Sequence, residues 1–156
     1  MNQQNYMKLA IDHARSGITQ SHGGPFGACI ICNDEVIATT HNTVLKDHDP
    51  TCHAEMNAIR IAAKELGTHD LSNCVIYTTS EPCPMCRAAI YWAGINKIVY
   101  GVDKSVAATY GFNDEEFTQQ MQLPASQRSI PEENGYCAEA IKKLFAEWKN
   151  LGLPLY

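Results

Sequence analysis

Residues 74–102, "CVIYTTSEPCPMCRAAIYWAGINKIVYGV", constrain this chain more than any other stretch. "CVIYTTS" is rich in β-branched and aromatic residues and reads as a buried strand. "CPMCRAAIYWAG" reads as a short helix ending near Gly94, and "KIVYGV" as a second strand. A strand–helix–strand unit favours parallel pairing through a right-handed crossover, with the helix on one face of a sheet. The join between first strand and helix is unusual, because Pro82 and Pro84 alternate with Cys83 and end in Cys86. Proline suits a helix start. The spacing of the two cysteines turns both sulfurs to one side of the first turn. The positive end of the helix dipole favours the thiolate, the form that binds metal.

The remaining chain supplies further helices and strands in alternation. "NYMKLAIDHARSGI" predicts an amphipathic helix with Met7, Ala10, Ile11, Ala14 and Ile18 on its inner face. "PFGACIICNDEVIATTHN" reads as two apolar runs around Asn33-Asp34, a hairpin signal. Thr51 is a plausible N-cap for a helix with Met56, Ile59, Ala63 and Leu66 inward and Gly67 as its stop. Residues 105–134 read as loops plus one short helix. "CAEAIKKLFAEWKN" reads as a last helix with Ile141, Leu144, Phe145 and Trp148 inward. The expected architecture is an α/β fold, a three-layer α/β/α sandwich with a mixed central sheet. The chain has 156 residues, a length typical of one domain, and residues 1–156 are read as one.

Charge and cysteine usage exclude several classes. The net charge of −5 is a poor start for a nucleic-acid binder, which carries a basic face. No apolar run approaches the roughly 20 residues of a membrane span. The N-terminus lacks the charged and apolar regions of a signal peptide. With seven cysteines, an odd number, the expectation is a cytoplasmic protein with free thiols.

Cys83 and Cys86 alone make an incomplete zinc site. There is no second Cys-x-x-Cys suited to it, because Cys29 and Cys32 fall in a strand that points them to opposite faces. His53 is the best third ligand, since "PTCHAEMNAIR" also opens a helix after an irregular stretch. Three protein ligands leave a fourth position open, the arrangement of a catalytic zinc. Glu55, two residues beyond His53, can then reach the activated water and act as general base and acid. Each part has an ordinary alternative. A histidine at a helix start is usually just a polar residue with a local hydrogen bond, and a lone Cys-x-x-Cys is as often redox or incidental.

Together they match a known signature: His-x-Glu followed by Pro-Cys-x-x-Cys marks the zinc nucleobase deaminases. The chain resembles the cytidine deaminase-like superfamily and, within it, the bacterial guanine deaminases. The resemblance rests on "GGPFGA", "HNTV", "DPTCHAE", "TSEPCPMC", "AIYWA" and "GFNDEEF", spread over nearly the whole chain. It implies a hydrolase that converts guanine to xanthine and ammonia in purine catabolism, with one Zn2+ per chain on His53, Cys83 and Cys86 and Glu55 as proton shuttle. It implies further that Phe26, Asn42, His53, Trp92, Asp114 and Tyr156 meet the base, and that Asp114 helps the amine leave. A homodimer whose C-terminal helix and tail, about 137–156, are swapped between subunits is implied in the same way. As isolated residues, Phe26 and Trp92 are better explained as core aromatics, Asp114 as part of a solvated acidic cluster and Tyr156 as a chain end. The expected partner is a small purine base, with neither nucleic acid nor membrane. The alternatives are deamination of tRNA adenosine, of free cytosine or of another aminated heterocycle, and a non-catalytic zinc-stabilised interaction module.

Overall fold

The computed structural model describes residues 3–155, so Tyr156 lies outside the described residues. These form two units, one running through Asp114 and one starting at Glu115.

In the first unit the chain runs α1 (Gln3–Thr19), β1 (Gly27–Cys32), β2 (Glu35–His41), α2 (Val44–Asp47), α3 (Ala54–Leu66), β3 (Cys74–Ser80), α4 (Pro84–Trp92), β4 (Lys97–Val102) and α5 (Lys104–Thr109). The strands make one sheet in the order β2-β1-β3-β4. The β1–β2 hairpin turns at Asn33 and Asp34, both with positive φ, as a tight two-residue hairpin requires. β1 pairs antiparallel with β3, whereas β3 and β4 pair in parallel across α4. The sheet is therefore mixed. Helices cover both faces: α1 packs Tyr6 and Ala10 on Cys29, Ile31 and Tyr77. On the other face Ala54, Ala58 and Ala62 of α3 and Ile90 of α4 meet Ala28, Ile30, Ala38 and Ile76. This is the three-layer sandwich that the sequence predicts.

Two inner helix faces differ from the sequence reading, and for one reason. On α1 the buried residues are Tyr6, Ala10, Ala14 and Gly17, while Ile11 and Ile18 are exposed. On α3 the small residues Ala54, Ala58 and Ala62 face the sheet, Ile59 packs at its margin, Met56 and Ala63 are only half-buried and Leu66 is exposed. Close approach selects small side chains. A Cβ on Gly27 of β1 would stand 2.0 Å from the carbonyl oxygen of Ala10, so α1 lies nearly backbone to backbone on the sheet. Hydropathy alone favours the larger residues and so turns each helix by part of a turn.

The second unit holds α6 (Glu115–Gln122), a 3-10 turn (Ala125–Gln127) and α7 (Ala138–Asn150). With α5, the span 105–134 thus contains more helix than the single short one expected. Glu115 and Glu116 open α6, where acidic groups complement the dipole. The α7 residues expected inward are not buried: Ile141, Leu144 and Phe145 are exposed and Trp148 is half-buried.

Candidate active site

The N-termini of α3 and α4 converge at one edge of the sheet. Their capping positions are held by His53 and Cys83, both in extended backbone conformation (φ −68°, ψ 158° and φ −62°, ψ 168°). The Cys83 sulfur caps α4, accepting from the Cys86 N–H at 3.5 Å, whereas the His53 side chain makes no capping bond to α3. Thr51, expected as the N-cap, instead turns its hydroxyl to Asp49 Oδ1 at 2.7 Å. That short turn delivers His53 to the position. Glu81 fixes the other arm: it takes Arg87 on Oε1 at 3.0 Å and the Lys104 backbone N–H on Oε2 at 3.1 Å. The loop into α4 is thereby tied to the far end of β4.

His53 Nδ1 lies 3.6 Å from Cys83 Sγ and 3.5 Å from Cys86 Sγ. The three donor atoms all fall within 4.8 Å of one another. Two sulfurs and an imidazole nitrogen form a donor set that suits zinc, and three protein donors leave a tetrahedral ion one further position. The cluster is electrostatically poised. The Cys83 thiol is pushed down to about 4, first by hydrogen bonding with Cys86, then by His53. Cys86 moves up, because it keeps the shared proton and is buried. His53 is pushed up, chiefly by its hydrogen bond with Cys83 and less by the charges of Glu55 and Asp114. A metal ion displaces the protons that these donors otherwise share.

Glu55 is buried in the first turn of α3, two residues beyond His53. Burial pushes its pKa up, as expected for a carboxylate withdrawn from water. Thr78 Oγ1 stands 3.4 Å from Glu55 Oε1 and donates to the Ser80 carbonyl at 3.0 Å. Thr40 Oγ1 donates to the Ala54 carbonyl at 2.7 Å. Neither threonine stands out in the sequence. Both contacts cross between elements, and strand threonines are common enough to carry no signal.

Asn42 and Phe26 are neighbours, since the Asn42 N–H donates to the Phe26 carbonyl at 3.0 Å. Asn42 is buried, and its Oδ1 accepts from the Val44 N–H at 3.2 Å. Gly23 makes room for it: a Cβ there would stand 2.0 Å from Asn42 Oδ1. The next residue, Thr43, donates its N–H to the Cys52 carbonyl at 2.9 Å, so the Asn42 turn is stitched to the residue before His53. Phe26 meets Phe112 edge to face, with ring centroids 4.9 Å apart. Asp114 is half-buried and acts on the charge of His53. Trp92, in contrast, is the last residue of α4 and 73% exposed. It stands about 13 Å along the helix from Cys83, and the single chain does not gather it at the cluster.

Comparison with known proteins agrees with this geometry. The cytidine and deoxycytidylate deaminase zinc-binding region matches residues 1–102. The chain is 40% identical to the guanine deaminase of Bacillus subtilis (strain 168), over 96% of both proteins. The X-ray structure of guanine deaminase from Bacillus subtilis superposes with a TM-score of 0.91, at 40% identity, over 96% of this chain and 95% of that one. The tRNA-specific adenosine deaminase of Aquifex aeolicus is 35% identical over 74% of this chain and 78% of its own length. A guanine deaminase from Nitrosomonas europaea superposes with a TM-score of 0.68, at 26% identity, over 85% of this chain and 69% of that one. A chain that folds as these enzymes do, and brings one histidine and two cysteines together beside a buried glutamate, belongs to the family of zinc-binding cytidine and deoxycytidylate deaminases.

Proposed function

We propose that this protein hydrolyses guanine to xanthine and ammonia. The observation that carries the reading is the buried Glu55 beside the His53, Cys83 and Cys86 cluster, in a chain 40% identical to a guanine deaminase over nearly its whole length. His53, Cys83 and Cys86 would hold a zinc ion, which would supply the Lewis acidity that makes water a nucleophile near neutral pH. Glu55 takes the proton of that water on a carboxylate oxygen as the water adds to C2. It then returns the proton to the ring nitrogen and, together with Asp114, serves the departing amine. Asn42 offers its NH2 to an acceptor on the purine edge, and Phe26 covers one side of the base.

Trp92 and Tyr156 enter this reading only through a second subunit. The exposed Ile141, Leu144 and Phe145 of α7 support a homodimer in which segment 137–156 crosses to the neighbour and Tyr156 closes its site. Deleting Leu155 and Tyr156 tests this: KM rises or turnover disappears, and an unchanged rate makes the tail a passive end. We infer a role in purine breakdown in the cytoplasm. Among the described residues no helix is long and apolar enough to cross a membrane.

Similarity to a tRNA-specific adenosine deaminase favours a second substrate, an adenosine in RNA. The charge opposes it: from Lys97 onward the chain has six Lys and Arg against eight Asp and Glu, and phosphate binding needs the reverse. A substrate panel on zinc-replete protein decides between them. Guanine is expected to release ammonia faster than adenine, cytosine, 2-amino-triazines or tRNA. Robust turnover of cytosine or tRNA with none of guanine would sink the proposal.

A further inference from the structure

Away from the active site, β1 and β3 carry a second pair of cysteines. Cys32 is the last residue of β1 and Cys74 the first of β3, and the antiparallel register sets them directly opposite each other. The type of pairing follows from the backbone. The Cys74 carbonyl accepts from Asn96 N–H at 3.2 Å, at the entry to β4. A strand residue points its N–H and C=O to the same side, so the polar atoms of Cys74 face away from β1. Cys32 and Cys74 are therefore a non-hydrogen-bonded pair, the kind in which Cα atoms approach to about 4.5 Å and side chains are nearest. A disulfide needs Cα atoms about 4.4–6.8 Å apart, a window that contains the usual spacing of a non-hydrogen-bonded pair. Both side chains lie on the α3 face, Cys74 within its core cluster and Cys32 packed against it. Burial, and then the neighbouring Cys32 thiol, push the Cys74 thiol up to about 11.

We propose that Cys32 and Cys74 form a reversible cross-strand disulfide when the protein meets a hydroperoxide. Cys32, half-buried where Cys74 is fully buried, is the sulfur that the oxidant reaches. Its thiolate attacks the O–O bond, which breaks to release water and leave a sulfenic acid. Cys74 then attacks the Cys32 sulfur; the S–S bond forms, the S–O bond breaks, and the oxygen leaves as water with the Cys74 proton. In sum, two thiols and one hydrogen peroxide give one disulfide and two waters. The zinc-site thiols are out of reach of this pair as disulfide partners, because Cys74 to Ser80 spans six steps of strand, about 20 Å, before the loop to Cys83.

The bond has a structural consequence. Cys32 and Cys74 bracket the excursion that carries Asn42, His53 and Glu55. Closing it would tie down the segment that supplies one donor of the cluster and the buried carboxylate, since a cross-link limits how far the unfolded excursion can open. The exposed Cys137 has no such partner opposite it among the described residues.

The test uses zinc-loaded protein, reduced, freed of reductant and exposed to a small excess of hydrogen peroxide. Remaining thiols are blocked with N-ethylmaleimide before digestion and mass spectrometry. The expected product is a Cys32–Cys74 peptide pair lighter by two hydrogens, which dithiothreitol separates. Its urea midpoint lies above that of the reduced protein. In C32S the linked pair is absent, Cys74 is alkylated after denaturation, and peroxide no longer raises the midpoint. Wild-type protein in which Cys32 proceeds to the sulfinic acid while Cys74 remains alkylable would overturn the proposal. So would a linked pair with no rise in midpoint, for the tethering it is meant to supply. C32S exchanges a half-buried sulfur for oxygen, so it keeps the comparison open even where a Cys74 variant fails to fold.

Discussion

Helices α3 and α7 are both 13 residues long, and both read in the sequence as amphipathic with an apolar inner face. They end up in opposite conditions. α3 buries Ala54, Glu55, Ala58 and Ala62, whereas α7 buries none of its residues. The contrast lies in what each face is made of. Alanines let α3 settle close on the sheet and bring a carboxylate into the core with it. The large residues of α7 form a stronger apolar stripe with nothing buried against it. A periodic pattern thus states that a helix has a face; it does not state where the matching surface is.

The largest effect belongs to the one polar side chain that α3 buries. Glu55→Gln is expected to lower turnover by about 10²–10⁴-fold, the range for a lost general acid–base group. Zinc should remain at one per chain, because Glu55 is not a donor in the cluster. The unfolding temperature should hold or rise, since the variant no longer withdraws an ionisable carboxyl from water. Ammonia release, metal analysis and thermal unfolding on one preparation check all three. Full activity in this variant would remove α3 from the chemistry and leave it a packing element like any other.

Ala58→Leu probes the packing itself. Ala58 is fully buried against the sheet, so added methylenes have no space and are expected to cost about 1–3 kcal/mol. Urea unfolding measures it. A neutral result would mean that the helix can lift away, and that its alanines do not set its distance from the sheet.

How much of this was legible follows from which features are local. The Asn33-Asp34 turn, the β3–α4–β4 crossover and the pairing of Cys83 with Cys86 are each written in a short stretch, where turn chemistry and helix geometry act directly. The choice of Ala58 over Ile59 as the buried residue is not local. It depends on how near α3 comes to the sheet, which many other residues decide. The contact of Thr78 with Glu55 joins residues 23 apart in sequence, and that of Thr40 with Ala54 joins residues 14 apart. Trp92 and α7 mark another limit: both carry exposed aromatics in the single chain, and a helical pattern does not say what covers them.

The polar flank of α3 sharpens the comparison through pH. Asn57 Nδ2 donates to the His41 carbonyl at 3.1 Å, so α3 is fastened to the end of β2. The His41 ring has Nε2 2.9 Å from His22 Nδ1 and a buried Nδ1 with no partner. The arrangement favours the tautomer in which Nε2–H donates to His22, because the alternative would bury an unsatisfied N–H. A second proton would have to sit on that dry Nδ1. Accordingly His41 falls below its ordinary value of 6.5, first through burial and then through the charges of His22, His13 and Lys46 against the opposing Asp47. Below about pH 6.5 the unfolded chain takes up a proton that the folded one refuses. Stability is therefore expected to fall as pH drops through that value and to level off once native His41 also protonates. In His41→Asn the decline between pH 7 and 5 should be shallower, as read from urea midpoints across the range. An identical decline would assign the acid sensitivity to other groups.

The smallest change in single-chain stability is expected at α7, and there a small number is the informative one. Leu144 and Phe145 are 62% and 70% exposed. Replacing both by lysine removes little burial from the isolated chain, and surface substitutions of this kind usually fall within about 0.5 kcal/mol. The same pair of charges would be costly in a subunit interface. If the proposed homodimer forms through α7, light scattering should therefore show the wild type as a dimer and the variant as a monomer. The melting temperature of the wild type should rise with protein concentration and that of the variant should not, because association stabilises by mass action. A loss of several kcal/mol in the monomer would break the contrast between the two helices, since it would show that α7 is held by burial as α3 is.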